Sequence, residues 1–196
     1  MRARLAIKSS EIKVQLREIV LSSKEPSFLA SSPKGTVPVV VTHNTVIEES
    51  LEIMCWALDQ ADPECWLKMP NSGYDWISRN DGPFKAALDH TKYSVRYPNL
   101  NAHLEQQEAA KFLRDLNLQI ANNAWIFGAN CSLADMAILP FVRQFANIDN
   151  GWFDSQGWHN LQRWLTAFLA SSRFNYIMRK YDKWIPGDSI VSFPDQ

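Results

Sequence analysis

SPKGTVPV at residues 32–39 and VIEES at residues 46–50 are the two stretches that decide the fold. The first places Pro38 at the start of an apolar run, although proline has no N–H to donate to a β-ladder. If the Val37–Pro38 bond is cis, the N–H and C=O of Val37 face outward, where they can pair with an extended peptide. The alternative is a trans proline at the edge of a sheet.

The second stretch places Glu49 and Ser50 at the start of a helix. A helix N-terminus has free N–H groups, and with a carboxylate and a hydroxyl they can hold both ends of an amino acid. Glu49 would take the ammonium group, and Ser50 with its N–H would take the carboxylate. The competing interpretation is that Ser50 only caps the helix.

Around these stretches, the first part of the chain carries both strand and helix patterns. Residues 12–20 alternate apolar with charged or polar side chains, which predicts a strand with one solvent-exposed face. From Ser50 onward, an amphipathic helix is predicted by the spacing of Leu51, Met54, Cys55 and Leu58. We further expect a helix at 2–9, a loop with at most a short helical turn at 22–36, a buried strand at 37–41, and a hairpin that turns at His43–Asn44 into a strand at 45–47.

The second part of the chain has helical periodicity only. A connection with Pro and Gly at residues 62–73 separates the parts, so we predict an α/β domain at 1–61 and an all-helical domain at 74–196. Ser132 and Asp135 form a capping box, which we interpret as structural. Apolar stripes mark two helices, one at 101–123 with Ala109, Phe112, Leu113, Leu116 and Ile120, and a later one with Leu161, Trp164, Leu165 and Phe168.

Composition restricts the classes of function. The 196 residues are 46% hydrophobic and 21% charged, which is typical of a globular chain with a core. A formal net charge of −1 provides no field that attracts nucleic acid or an anionic membrane, and no apolar stretch approaches the roughly 20 residues of a membrane span. The four histidines and three cysteines show no metal-ligand or CxxC spacing. We expect a cytoplasmic protein with reduced thiols, no metal and no nucleic-acid or membrane partner.

Three motifs in register resemble the cytosolic glutathione transferase family over nearly the whole chain. PKGTVPVV at 33–40 resembles the family's cis-proline segment, IEES at 47–50 its Glu-Ser pair, and CSLADMAILPF at 131–141 its helix-capping box. The segments NDGPFKAALDHTKY and LPFVRQF resemble those of a bacterial, omega-like branch of the family, whose catalytic motif is of the cysteine or serine type. The resemblance implies a thioredoxin-like α/β N-terminal domain, an all-α C-terminal helical domain and a homodimer.

The same resemblance implies that glutathione is the cosubstrate. The backbone of Val37, before Pro38, would pair with its cysteinyl part, while Glu49 and Ser50 would hold its γ-glutamyl part. Lys24 resembles a lysine that lies near the glycyl carboxylate in omega-like transferases, although a solvated loop lysine explains it equally well.

Other side chains have weaker assignments. Lys34 is expected to face solvent. The acceptor substrate would lie against the first helices of the C-terminal part, where the available aromatic residues are Trp76, Tyr93, Tyr97 and Phe141, with core packing as the simpler explanation. Three tryptophans could anchor a dimer interface, namely Trp56, Trp66 and Trp76, but packing in the core is the simpler interpretation.

The chain departs from the family at its beginning. Family members start with a strand and a C-P-[YF]-[CSA] motif followed by x-R-x-R-x-x-L, and here the second half of that pattern begins at Met1. The nucleophile is therefore expected just upstream of Met1. The missing first strand would be internal, between 12–20 and 37–41, so two rows of backbone groups would lack partners. Either the true start lies upstream, or 12–20 moves inward to pair with 37–41, or another chain fills the gap.

Two functions remain open. Cys55 on its helix stripe and Cys131 before a cap are expected to be inert thiols, and Cys65 lies in the connection. The first hypothesis is a glutathione transferase-like protein that conjugates glutathione to an electrophile or uses it to reduce a disulfide. The second is a non-catalytic binding or scaffold protein of the same fold.

Overall fold

The structure, a computed structural model, describes residues 1–195 and divides into two compact units. Unit 1 contains Met1–Cys65 together with the described residues from Ser172 onward, and unit 2 contains Trp66–Ser171. The C-terminal residues therefore belong with the N-terminal part of the chain. Each unit is described separately below.

The N-terminal segment of unit 1 contains both of the helices predicted for it. Its elements are α1 (Arg2–Ser10), β1 (Val14–Leu16), α2 (Pro26–Ser31), β2 (Val40–Val41), β3 (Val46–Ile47) and α3 (Ser50–Gln60). Helices α1 and α3 pack together, with Leu5 and Ala6 fully buried on α1. The predicted helices at 2–9 and from Ser50 are confirmed. The buried face of α3 includes Ile53 and Ala57, whereas Leu51 and Cys55 of the predicted stripe are only half-buried.

The predicted hairpin is confirmed, but its strands are short. Strand β2 pairs antiparallel with β3, with Val40 opposite Ile47, and the Thr42 N–H donates to the Thr45 carbonyl at 2.8 Å across the turn. The expectation of a buried strand at 37–41 is wrong, because only two of its residues have a β3 partner and Val41 is 61% exposed. The segment 22–36 contains the six-residue helix α2 rather than a single turn.

Unit 2 is a helical bundle. Its α-helices are α4 (Ser72–Arg79), α5 (Lys85–Lys92), α6 (Ala102–Ile120), α7 (Leu133–Ala146), α8 (Asn150–Ser155) and α9 (His159–Leu169), with a π-helical segment at Asn80–Phe84 and a 3-10 turn at Ser94–Arg96. Every residue of the two predicted apolar stripes is buried, on α6 and on α9. Phe84 stacks on Phe112 with ring centroids 4.7 Å apart, which marks the centre of the core.

The chain returns to unit 1 through α10 (Ser172–Ile177) and β4 (Val191–Phe193). Strand β4 pairs antiparallel with β1, with Val14 opposite Phe193 and Leu16 opposite Val191. The all-helical expectation for 74–196 is therefore wrong at its end, because residues 191–193 cover one edge of β1. The three-residue partner also explains why the predicted strand at 12–20 is reduced to Val14–Leu16.

The two short sheets are not joined. Strand β1 pairs with β4, and β2 pairs with β3, without a ladder between the two pairs in the described chain. The inward shift of residues 12–20 to pair with 37–41 is therefore wrong. Within residues 1–195, no helix is both long enough and apolar enough to cross a bilayer.

Candidate functional site

The loop that enters β2 presents an open piece of backbone. The Val37–Pro38 bond is cis, and Val37 is 45% exposed. Among residues 1–195, no other residue hydrogen-bonds to the N–H or C=O of Val37. Both groups are therefore available to an extended ligand.

Glu49 and Ser50 lie at the start of α3. Glu49 is the N-cap residue with extended backbone (φ −95°, ψ 131°), and its side chain is 66% exposed and caps no helical N–H. Ser50 is the first helical residue, so it is not the N-cap of the competing interpretation. The Ser50 N–H belongs to the first turn, whose N–H groups have no carbonyl partner within the helix.

Lys34 does not simply face solvent, although its side chain is 61% exposed. Its Nζ lies 3.6 Å from Oε2 of Glu48 and 3.8 Å from Oε1 of Glu49. The Ser32 hydroxyl donates to Oε1 of Glu48 at 2.5 Å. These contacts hold the loop against the start of α3, and they show that the Glu49 carboxylate already has an ammonium group beside it.

Lys24 lies against the same loop. Its Nζ is 3.3 Å from the position that a Cβ would take on Gly35, and the side chain is half-buried. Gly35 has φ +61°, a left-handed conformation that glycine adopts without a Cβ penalty. Lys24 therefore lies beside Gly35, two residues before Val37 in the same loop. The role of its ammonium group stays a prediction.

A cavity of about 1200 Å³ opens beside this loop within unit 1. Its walls include residues 12–19 on one side and 37–42 on another, together with Arg4 of α1 and Tyr181 of the C-terminal segment. Sequence reasoning predicted unpaired strand edges here but missed Tyr181, since no local pattern links a residue near the C-terminus to this wall.

The cysteines are placed away from that cavity. Cys55 is half-buried on α3, and burial, with the nearby charges of Asp59 and Glu52, raises the pKa of its thiol. Cys65 is exposed, Cys131 is half-buried, and none of the three is among the residues that line the cavity. Across residues 1–195, His, Cys, Asp and Glu side chains form no group suited to a metal ion.

The aromatic candidates divide between core and partly exposed positions. Trp66 is fully buried, and Trp76 is largely buried with its ring 5.6 Å from that of Phe112, so core filling explains both. Trp56 is half-buried and lines the cavity of unit 1. The remaining candidates are half-buried in unit 2, namely Tyr93, Tyr97 and Phe141.

Comparisons with known proteins agree with this architecture. Residues 1–66 match the family described as glutathione S-transferase, N-terminal domain. The probable glutathione S-transferase parA of Nicotiana tabacum is 29% identical over 152 residues, which cover 74% of this chain and 67% of that protein. The glutathione S-transferase-like protein tpcF of Aspergillus fumigatus is 22% identical over 201 residues, which cover 85% of each chain.

Solved structures show the same fold. A glutathione transferase family member from Pseudomonas fluorescens, solved with two glutathione bound, has a TM-score of 0.77 at 15% identity, covering 90% of this chain and 86% of that one. Poplar glutathione transferase F1 has a TM-score of 0.73 at 19% identity, covering 90% of each chain. The bacterial, omega-like branch stays a prediction. The chain therefore has the glutathione transferase fold, a thioredoxin-like N-terminal domain with a helical domain, and its matches support the glutathione transferase family.

Proposed function

We propose that this protein binds glutathione at the loop before β2 and acts as a glutathione transferase-like protein. The observation that carries the proposal is that Val37, beside Pro38, is 45% exposed and that its N–H and C=O have no hydrogen-bond partner among residues 1–195. A tripeptide in extended conformation pairs with such a backbone through its own N–H and C=O groups. The glutathione-bound relative of the same fold supports this choice of ligand.

The charges around the loop match the two ends of glutathione. The γ-glutamyl ammonium group would bind the Glu49 carboxylate in place of the Lys34 ammonium, which lies 3.8 Å from that carboxylate. The γ-glutamyl carboxylate would accept hydrogen bonds from Ser50 and the free N–H groups of α3, at the positive end of the helix dipole. Lys24, beside Gly35, would attract the glycyl carboxylate.

Two activities are compatible with this site. In the first, the bound glutathione sulfur attacks an electrophile or a disulfide. In the second, the protein binds glutathione or serves as a scaffold without turnover.

Calorimetric titration with glutathione tests the site. Glu49→Gln removes the charge that faces the ammonium group, so we expect affinity to fall about tenfold, and Ser50→Ala should lower it about fivefold. Glu52→Gln, an exposed acid in the first turn of the same helix, is the matched control and should bind within about twofold of the wild type. Unchanged affinity in Glu49→Gln would show that the site assignment is wrong.

Turnover separates the two activities. Retention on immobilised glutathione together with consumption of a chlorinated aromatic electrophile or a mixed disulfide supports the transferase. Retention without turnover supports the binding protein. We further propose a cytoplasmic homodimer, for which sedimentation should give about twice the 22.5 kDa of one chain.

A further inference from the structure

Residues 20–31, which carry Lys24 and α2, have little packing of their own. None of residues 20–31 is buried, and α2 is only six residues long. The Ser23 N–H donates to the Val20 carbonyl at 2.9 Å, which closes a local turn. Short exposed helices and turns are only marginally stable by themselves, so the position of Lys24 depends on contacts with residues outside this range.

Residues 178–190, the C-terminal segment between α10 and β4, provide such a contact at the residue next to Lys24. The Nζ atom of Lys183 lies 2.7 Å from Oε1 of Glu25. The Glu25 side chain is 18% exposed and the Lys183 side chain 33%, so water screens this ion pair less than a pair on the open surface. Glu25 is also the N-cap residue of α2, but its carboxylate caps no helical N–H and is available to Lys183.

Trp184 fixes the C-terminal segment next to Lys183. The Trp184 N–H donates to the Glu18 carbonyl at 2.8 Å. The Arg17 guanidinium lies over the Trp184 ring, with its carbon 4.5 Å from the ring centroid, so a cation–π contact adds to the hydrogen bond. Lys183 therefore extends from a backbone that is attached just before residues 20–31 begin.

The same ion pair sets the charge beside Lys24. An unpaired Glu25 carboxylate, one residue away, would attract the Lys24 ammonium group and repel an anion that approaches it. Lys183 neutralises that carboxylate and leaves the Lys24 ammonium group available to an anionic ligand. The Nζ atom of Lys24 lies beside Gly35, 3.3 Å from the position that a Cβ would take there, and Gly35 is two residues before Val37.

We propose that Lys183 is a positioning residue for the glycyl end of glutathione. It holds Glu25 and neutralises the Glu25 charge, which keeps the Lys24 ammonium group beside the loop where the glycyl carboxylate binds. This inference rests on the proposed binding of glutathione. It adds that affinity for the glycyl carboxylate, but not for the rest of the tripeptide, depends on a residue of the C-terminal segment.

Calorimetric titration of the full chain with two ligands tests the proposal. The ligands are glutathione and its glycyl amide, in which an uncharged amide replaces the glycyl carboxylate. The wild type should bind glutathione about fivefold more tightly than the amide. Lys183→Gln should weaken glutathione about fourfold and leave the amide within about twofold, because only the carboxylate faces Lys24. A general loss of structure would weaken both ligands alike.

Three further variants separate positioning from other effects. Lys183→Arg keeps the positive charge and should bind glutathione within about twofold of the wild type. Lys180→Gln changes an exposed lysine of the same segment and is the matched control, also expected within about twofold. In a Lys24→Gln background, adding Lys183→Gln should change glutathione affinity by less than about twofold, because Lys183 acts through Lys24.

Hydrogen exchange of the ligand-free protein tests the structural step. The N–H groups of Phe28 and Leu29 donate to the Glu25 carbonyl at 3.0 and 3.2 Å, so their exchange should become faster in Lys183→Gln. Unchanged exchange there, or equal losses of glutathione and amide affinity in Lys183→Gln, overturns the proposal. If the wild type binds glutathione and Lys183→Gln binds it equally well, this inference alone is wrong. If the wild type does not bind glutathione, the proposed function is wrong and this inference is wrong with it.

Discussion

Replacing Asp135 by Asn should destabilise unit 2 more than any other isosteric change at its acidic residues. Asp135 is fully buried at the start of α7, and its two oxygens accept four hydrogen bonds. Oδ1 accepts from the Ile126 N–H and from Nε1 of Trp164, both at 2.9 Å. Oδ2 accepts from the Ser132 N–H at 2.9 Å and from the Ser132 hydroxyl at 2.7 Å. The carboxylate thus completes the predicted capping box and joins it to α9.

The magnitude follows from the geometry. An Asn amide keeps one acceptor oxygen and turns its NH₂ toward two donors, so two hydrogen bonds to a charged group are lost at about 1.5 to 3 kcal/mol each. Relief from burying a charge offsets part of this loss, since burial raises the pKa of Asp135 against the opposing effect of its hydrogen bonds. We expect a net loss of about 3 kcal/mol, which corresponds to about 9 °C in Tm for a chain of this size.

Urea unfolding followed by tryptophan fluorescence measures the loss, because six of the eight tryptophans lie in unit 2. Asp149→Asn is the matched control, because Asp149 is an exposed N-cap that accepts from the Trp152 N–H at 2.9 Å and Asn caps equally well. A loss below about 1 kcal/mol in Asp135→Asn would refute the reasoning.

The pH dependence has a definite sign. A raised pKa means that folded Asp135 takes up a proton at a higher pH than the unfolded chain does. Its contribution to the free energy of unfolding should therefore increase as the pH falls from neutral through the folded pKa, and the gap to Asp135→Asn should widen over that range. If the difference in free energy of unfolding between the wild type and Asp135→Asn narrows over this pH range, burial does not raise the pKa of Asp135.

Three further predictions concern other groups. Burial and a hydrogen bond to Asp195 raise the pKa of Tyr176 to about 12. In an absorbance titration of the tyrosines, Asp195→Asn should therefore move the component that ionises at the highest pH to lower pH. If that component does not move, the contact is contradicted. Cys65 is exposed, while the pKa of Cys55 is raised. Cys65→Ser should therefore remove the fastest phase of the reaction of the thiols with an aromatic disulfide reagent. A retained fast phase would show that another cysteine reacts fastest. Asn117 Oδ1 accepts from the N–H groups of Asn160 and Leu161, in the first turn of α9, at 3.0 and 3.1 Å. Asn117→Ala should therefore lower the free energy of unfolding in urea by about 2 kcal/mol, and a change under about 0.5 kcal/mol would refute this capping role.

Helices were predictable from sequence where apolar residues recur along one face at the helical period. The stripe from Ala109 to Ile120 identifies α6, and the stripe from Leu161 to Phe168 identifies α9, because side chains three and four residues apart share a face. The capping box at Ser132 was predictable for the same reason, since both of its members lie within one turn. These features depend on local geometry alone.

Strand lengths were not predictable, because a strand extends only as far as its partner. The alternation at 12–20 correctly indicates one exposed face, but the ladder ends at Leu16 because β4 supplies only three residues from the far end of the chain. The same dependence on distant residues hides Tyr181 from sequence reasoning and leaves the Lys34–Glu49 contact unforeseen. By contrast, the cis Val37–Pro38 bond was predictable from the local motif PKGTVPVV.

The return of β4 to β1 makes unit 1 discontinuous, and this affects how the protein is made. A ribosome synthesises all of the contiguous residues of unit 2 before it synthesises the strand that pairs with Val14–Leu16. Translation proceeds at about 5 to 20 residues per second, so β1 waits roughly 9 to 35 s for the partner strand that is synthesised about 175 residues later. The N-terminal unit, although its first residues are translated earlier, is thus completed last.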